Sequence, residues 1–567
     1  MLRRVCVFLF LTPLTLLPAF GAAPNKPNIV LITLGSTRAD RMGFLGAAKA
    51  ATPKLDALAK ESIIFEHAYA QAPGTVASQA TLLTGTYPQT HAATEFGATL
   101  SSSLPYLPSL LHANGYHTAA FVGTVALDPK NGTAPGFDRG FDRYDAGFHQ
   151  PQRGESPYRS VERRGAQVAT RAIAWVTAAK RPFFLWVQLN DAHVPFEAGY
   201  EDGIRAADVA AGKILAAVRA QNADDNTLIV VAADNGESLG AHGEDTHGVF
   251  LYDETIHVPL LIKLPQNQLA GKKVSGKVRL LDVAPTILEV ASVPVPSQMQ
   301  GQSLLRIAKT NADQAVYSRS DFPQRGFGWS ALESWRAGKY LYIRAPKSEL
   351  YDLAADPGAT KNLAQSSKAT LDTIAAQLDA FSRRFTEAGK SGESNLSSSE
   401  MQKLASLGYV GLQKSGAGVN AASTGTDPKD VIATANKVQS ALASIESGQP
   451  EKALAVLQPI VAAQPGIYLA QYALGVAYLQ RQQYPQAVQA LHKAIELQPD
   501  SAWAHNQMGK SLLKTGDFKT AAVHLEIAAS RLPEFADAHV SLAQAYDHLG
   551  RSDDAKRERA KFPAPTR

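Results

Sequence analysis

Three short apolar runs in the first half of this 567-residue chain end in residues able to do chemistry. Phe183 to Leu189 runs into Asn190-Asp191-Ala192-His193, and Leu228 to Ala233 into Asp234-Asn235-Gly236-Glu237. Ile29 to Leu34 ends in the turn-like pair Gly35-Ser36. Open α/β sheets bind ligands just past the carboxyl ends of their strands, so these three ends offer one polar rim. Polar residues also begin ordinary solvent loops, which accounts for one such end more easily than for three. Thr75 stands before a helix predicted from Ser78, where free backbone N–H groups favour an anion, unless it simply caps that helix. His193 and His247 are the imidazoles at hand. A lone histidine is more often structural than functional, and the functional reading of His247 is proton donation to a leaving group.

The chemistry is bounded by what the chain lacks. Its sole cysteine, Cys6, lies in a stretch that reads as an export signal. Arg3 and Arg4 precede an apolar run from Val5 to Leu17, and small residues follow at Ala19, Gly21, Ala22 and Ala23. Removal of residues 1–23 leaves no thiol, hence no disulfide, thiolate ligand or cysteine nucleophile. The run is broken by Pro13 and Pro18 and falls short of the roughly 20 residues of a membrane span. A periplasmic or secreted protein with no transmembrane span after signal removal is expected, an uncleaved anchor being the alternative. Net charge is +5 with pI near 8.9, and falls to +3 without Arg3 and Arg4. No clustered basic face emerges, which excludes a nucleic-acid partner.

At 45% hydrophobic residues the chain can build real cores, and its length calls for several domains. From residue 27 to 311 apolar strands alternate with helical stretches, the pattern of an α/β domain. Residues 312–390 read as a small strand-rich annex closed by an amphipathic helix from Leu371 to Phe385. Residues 391–429 are rich in Ser, Gly, Ala and Thr and read as a linker with a short helix near Met401 to Leu412. Proteolysis there is expected to separate a core from the repeats beyond. Those repeats, at 430–562, have a 34-residue period. It is marked by Pro465, Pro499 and Pro533, by Ala453, Ala487, Ala521 and Ala555, and by Gly475 and Gly509. The period, with small residues at helix crossings and Pro ending each unit, resembles the tetratricopeptide repeat, in units near 434–467, 468–501, 502–535 and 536–562. Such stacks offer a groove for a protein or peptide partner, or serve as a packing module. Tyr472 and Trp503 read as aromatics of the repeat core. Asn131-Gly132-Thr133 is a glycosylation sequon by pattern alone.

Several segments of residues 27–365 together resemble the sulfatase group of the alkaline phosphatase superfamily. They are Pro27 to Leu34 with Arg38-Ala39-Asp40, Thr52 to Asp56, and Phe65 to Ala70. The others are Thr75 to Gly85, Ala233 to Gly240, His242 to Gly248, and Glu349 to Asp352 with Asp356-Pro357-Gly358. The resemblance implies a doubly wound α/β sheet with a small antiparallel C-terminal subdomain, followed here by the all-α repeats. It implies one divalent metal ion (Ca²⁺, Mg²⁺, Mn²⁺ or Zn²⁺) held by Asp234, Asn235 and Thr75, with Thr75 as the nucleophile. His193 and His247 then take catalytic places, while Asp191, Ser78 and Gln79 fall on the substrate side. The substrate would be a small ester or an anionic glycan or lipid head group.

The departures from that pattern are specific. Gly35 stands where the family has a carboxylate ligand, Ala77 where it has Pro, and Gln79 where it has Arg or His. Thr124-Val125-Ala126 replaces a Lys-x-His motif. Asp234 is left as the one obvious carboxylate, with Asp40, Glu237 or Asp245 as possible substitutes. Thr75 cannot yield the aldehyde that sulfatases make from Cys or Ser, so direct attack by its hydroxyl on a phosphate or sulfate ester is the implied reaction. Two functions follow: an exported, metal-dependent ester hydrolase or transferase fused to protein-binding repeats, or a catalytically impaired relative acting as a binding scaffold.

Overall fold

The computed structural model describes residues 26–94, 97–131, 133–146, 163–193, 199–221, 223–386, 404 and 424–561. The export signal, most of the linker with its short helix, and part of the sequon lie outside them.

Nine strands form one mixed sheet in the order β4-β3-β5-β1-β6-β7-β2-β8, with β9 also on β2. In chain order they are β1 (Asn28–Leu34), β2 (Ile63–Tyr69), β3 (His117–Phe121), β4 (Arg143–Asp145) and β5 (Phe183–Leu189). Then come β6 (Thr227–Ala233), β7 (His257–Lys263), β8 (Lys273–Val274) and β9 (Val278–Arg279). Every residue of β1, β5 and β6 is buried. Side chains alternate between the two faces of a strand, so both faces of the sheet centre are covered. That is why these strands read as unbroken apolar runs. β1 is parallel to β5 and β6, and the register sets Leu34 beside Leu189 on one side and Ala233 on the other. The residues after them therefore emerge abreast.

A second, antiparallel sheet is formed by β10 (Val316–Ser320), β11 (Leu332–Ala337), β12 (Tyr340–Arg344) and β13 (Glu349–Asp352) in that order. The amphipathic helix, Lys368–Thr386, packs on it through Phe381 against Tyr317 and Trp335. This is the α/β architecture with a small antiparallel annex that the motifs implied.

Four helix pairs follow: Pro428–Glu446 with Pro450–Ala463, Tyr468–Gln480 with Tyr484–Leu497, Ala502–Thr515 with Phe518–Arg531, and Ala536–His548 with Ser552–Lys561. The periodic alanines at 453, 487, 521 and 555 are all buried. A Cβ at Gly475 or Gly509 would lie 2.5 or 2.4 Å from Cγ of Leu491 or Leu525, so only glycine lets paired helices cross this closely. Trp503 packs on Phe535, as a core aromatic should. The period also has a polar component that the prolines alone did not reveal. Gln471, His505 and His539, spaced like them, each donate a side-chain N–H to the carbonyl of Pro465, Pro499 or Pro533 at 3.0 Å. Two buried histidines are thereby explained as structural.

The boundary between α/β unit and repeats differs from the predicted free linker. Ser330 N donates to Thr426 O, and Asp427 Oδ2 accepts from Lys347 N, so the chain is tied down before the first repeat helix starts. Ala435, Val438 and Ala441 of that helix belong to the same apolar core as the sheet. Cleavage within 391–423 is accordingly expected to yield two fragments that co-elute on gel filtration and melt in one transition. Fragments that separate without denaturant would contradict this packing.

Candidate functional site

Because β1, β5 and β6 end in register, Gly35, Asn190 and Asp234 stand side by side, tied by Gly35 N to Leu189 O (2.7 Å) and Asp234 N to Leu34 O (3.2 Å). Asp234 is fully buried. Its Oδ1 accepts from Ser36 N (3.1 Å) and Asn235 N (2.8 Å), and its Oδ2 from Gln79 Nε2 (3.3 Å). Burial pushes this carboxyl above the usual carboxylate range, against the pull of those N–H donors. Ser36 is held at φ 48°, a left-handed conformation costing on the order of 1 kcal/mol in a non-glycine residue. Its carbonyl is held by the Tyr200 hydroxyl at 2.8 Å, so the strain is paid from outside the turn and keeps the Ser36 N–H on Asp234.

Thr75 is the first residue of a wholly buried helix, Thr75–Thr84, whose cap is Gly74 and receives no side-chain bond. The helix starts three residues before the predicted Ser78, and Thr75 is not its cap. Residues four apart share a helix face, so Thr75 lies on the side from which Gln79 reaches Asp234. Ser78, expected on the substrate side, donates its hydroxyl to Ala72 O (2.7 Å) and braces the turn before the helix.

The two histidines meet. His193 and His247 pack edge to face at 5.3 Å between ring centroids. His247 Nδ1 lies 3.1 Å from Oε2 of Glu237, a fully buried carboxylate, which orients the ring and leaves Nε2 as its other polar atom. Glu237 thus serves His247 rather than standing in as a cation ligand. The other proposed substitutes are also committed elsewhere. Asp40 is paired to Arg38 at 2.8 Å, and Asp245 is exposed. Asp191, expected on the substrate side, is bonded to the start of a helix. Both its oxygens accept from Gly165 N (2.9 and 3.0 Å), capping the helix Gly165–Ala178.

Whether the residues suit a divalent cation turns on two unpaired oxygens. Asn235 Oδ1 and Gln79 Oε1 are buried without a hydrogen-bond partner, a cost of about 1–3 kcal/mol each. Both side chains touch the Asp234 turn, Gln79 on Asp234 itself and Asn235 through its Nδ2 to Ser36 Oγ (3.4 Å). A cation beside Asp234 would satisfy them, and hard cations take amide, carboxylate and hydroxyl oxygens. The donor set fits one such ion with a single formal negative charge. Among the described residues no three His, Cys, Asp or Glu converge on a metal position. Gly35 adds no ligand, and the space beside it is filled. A Cβ there would lie 2.2 Å from Asn190 Oδ1, which accepts from Gln188 Nε2 at 2.9 Å.

Known proteins bear on this arrangement. The sulfatase family matches residues 27–293, and the C-terminal region of N-sulphoglucosamine sulphohydrolase matches 245–384. Tetratricopeptide repeat families match 475–516 and 506–556. An ulvan-active sulfatase of Formosa agariphila is 28% identical over 65% of this chain and 82% of its own. A delta 4,5-hexuronate-2-O-sulfatase of Bacteroides thetaiotaomicron is 23% identical over 63% and 88%. The solved structure of a phosphonate monoester hydrolase from Silicibacter pomeroyi superposes with a TM-score of 0.54 at 20% identity, over 63% of this chain and 96% of that one. With the aligned strand ends and the helical period already described, these matches identify a sulfatase-like domain of the alkaline phosphatase superfamily followed by C-terminal tetratricopeptide repeats.

Proposed function

We propose that this chain is an exported sulfatase-family hydrolase or transferase that binds an anionic ester at the ends of β1, β5 and β6 and attacks it with Thr75. The observation that carries this reading is the place of Thr75. It opens a buried helix without capping it, on the face that Gln79 turns to Asp234. The N–H groups of that first turn have no intrahelical acceptor and suit the charged oxygens of a sulfuryl or phosphoryl group.

Attack forms a bond from Thr75 Oγ to sulfur or phosphorus while the ester bond to the leaving oxygen breaks. The hydroxyl proton departs to solvent, which reaches Thr75 at 9% exposure. His247, oriented by Glu237, gives a proton to the leaving oxygen. Water then cleaves the Thr75 ester, or a second alcohol accepts the group. Asp234, Asn235 and Thr75 would hold a divalent ion, which when bound supplies charge neutralisation and a lowered hydroxyl pKa.

Named activities of the relatives point to sulfated glycans, whereas a threonine hydroxyl favours phosphate esters. The discriminating experiment compares aryl phosphate mono- and diesters with aryl sulfates under saturating Ca²⁺, Mg²⁺ or Mn²⁺. Faster turnover of the phosphate esters is expected, and aryl-sulfate turnover that survives Thr75→Ala would sink the assignment. A second reading, a binding scaffold without turnover, is favoured by Asn190 filling the space beside Gly35. It predicts anion binding with no product on any of these esters. In either case the repeats supply the groove for a protein or peptide partner.

A further inference from the structure

The loop that carries His247 is gripped from outside the α/β unit. Asn436 of the first repeat helix, Pro428–Glu446, donates from Nδ2 to Gly243 O (2.8 Å) and accepts at Oδ1 from Asp245 N (3.2 Å). Three residues on, Gln439 accepts from Thr246 Oγ1 (3.1 Å) and donates to the carbonyl of His247 itself (3.4 Å). Positions 436 and 439 share one helix face, so the two amides form a single clamp. Ile432 of the same helix faces the loop as well, where a Cβ at Gly243 would make ordinary van der Waals contact with its Cγ2 at 3.4 Å. The helix that bears the clamp is fixed in turn. Lys429 Nζ binds Glu349 Oε1 at 2.8 Å, and Ala435 and Val438 are fully buried in the shared core.

The loop's own bonds hold its two ends together. Ser238 N donates to Thr246 O (2.8 Å), Gly240 N to Glu244 O (2.9 Å), and the buried Glu244 accepts from Val249 N and Phe250 N. Yet Leu239 (φ 54°) and His242 (φ 52°) are left-handed, a conformation that persists only where the surroundings over-determine it. We propose that Asn436 and Gln439 are positioning residues for His247, so that the first repeat helix completes the candidate site. Glu237 aims the ring from within, and the two amides fix the backbone that carries it. This inference rests on His247 as the proton donor, but its test does not require turnover.

The full-length Asn436→Ala, Gln439→Ala and double variants should be compared with Lys437→Ala, an exposed control on the same helix. Amide exchange over 243–248 should rise at least about 10-fold in the double variant, with the sheet still protected. The NMR chemical shifts of the His247 ring protons should move with it. Gln439→Glu, which keeps the acceptor for Thr246 but loses the donor to the His247 carbonyl, should restore only part of the protection, and Lys437→Ala should change neither readout. Should the double variant also expose 428–446, the single variants decide, each loosening the loop while that helix stays protected. Wild-type exchange over 243–248 and unchanged His247 ring chemical shifts in folded variants would overturn the proposal. Absent turnover with a loosened loop would instead fault only the hydrolase reading.

Discussion

Thr75→Ala is expected to lower turnover of any accepted ester by about 10³-fold or more, because it removes the nucleophile that acts in the transition state. The fold should tolerate the change. Thr75 caps nothing, and alanine suits the first turn of a helix. Thr75→Ser, which keeps a hydroxyl at the same place, should retain measurable activity. Rapid-quench trapping of a labelled ester on Thr75 in the wild type, absent from the alanine variant, provides the direct check. Undiminished turnover in Thr75→Ala would move the nucleophile elsewhere.

The second large effect concerns cation affinity. Gly35→Asp would add a second carboxylate beside Asp234, and affinity for hard cations follows ligand charge. Gly35 is outside the left-handed region, so backbone strain does not oppose the change. Crowding does. The new Cβ would meet Asn190 Oδ1 at 2.2 Å, and Asn190 would have to abandon its bond from Gln188. The single variant should therefore lose about 1–3 kcal/mol of metal-free stability. Gly35→Asp with Asn190→Ala should recover the space and bind Ca²⁺, Mg²⁺ or Mn²⁺ at least about 10-fold more tightly than wild type in calorimetric titration. Its melting temperature should rise on adding the ion, since a ligand that binds only the native state stabilises it. Equal and tight binding by wild type and double variant would mean that the neutral oxygens around Asp234 already suffice.

What was legible in the chain follows from the range over which each signal acts. β1, β5 and β6 could be read because burial on both faces demands continuous apolar runs, and the repeats because helix crossings demand small residues at a fixed interval. Asp234, Asn235 and the histidines stood out because they follow such strands or fall in recognisable motifs. The partner choices were not legible. Nothing in the types of Glu237 and His247 says that they face each other rather than a cation, and Asp191 has the same composition whether it caps a helix or binds a ligand. Asn190 against Gly35 is a matter of side-chain packing across neighbouring strands. Asn436 and Gln439 carry no periodic or motif signal, and their contacts are set only when two distant units dock.

That docking imposes an order in time. The clamp on the 243–247 loop joins residues 191 to 193 positions apart in the chain. At synthesis rates of roughly 5–20 residues per second, the loop is made about 10–40 s before the helix that holds it. The sheet can close around its central strands during that interval, but the His247 loop stays without its outer support. A nascent or truncated chain ending before Pro428 would lack both the clamp and the part of the shared core that Ala435, Val438 and Ala441 supply. Maturation of the site is thus tied to synthesis of the first repeat helix, and a chain cut short before that helix would not acquire the ordered loop.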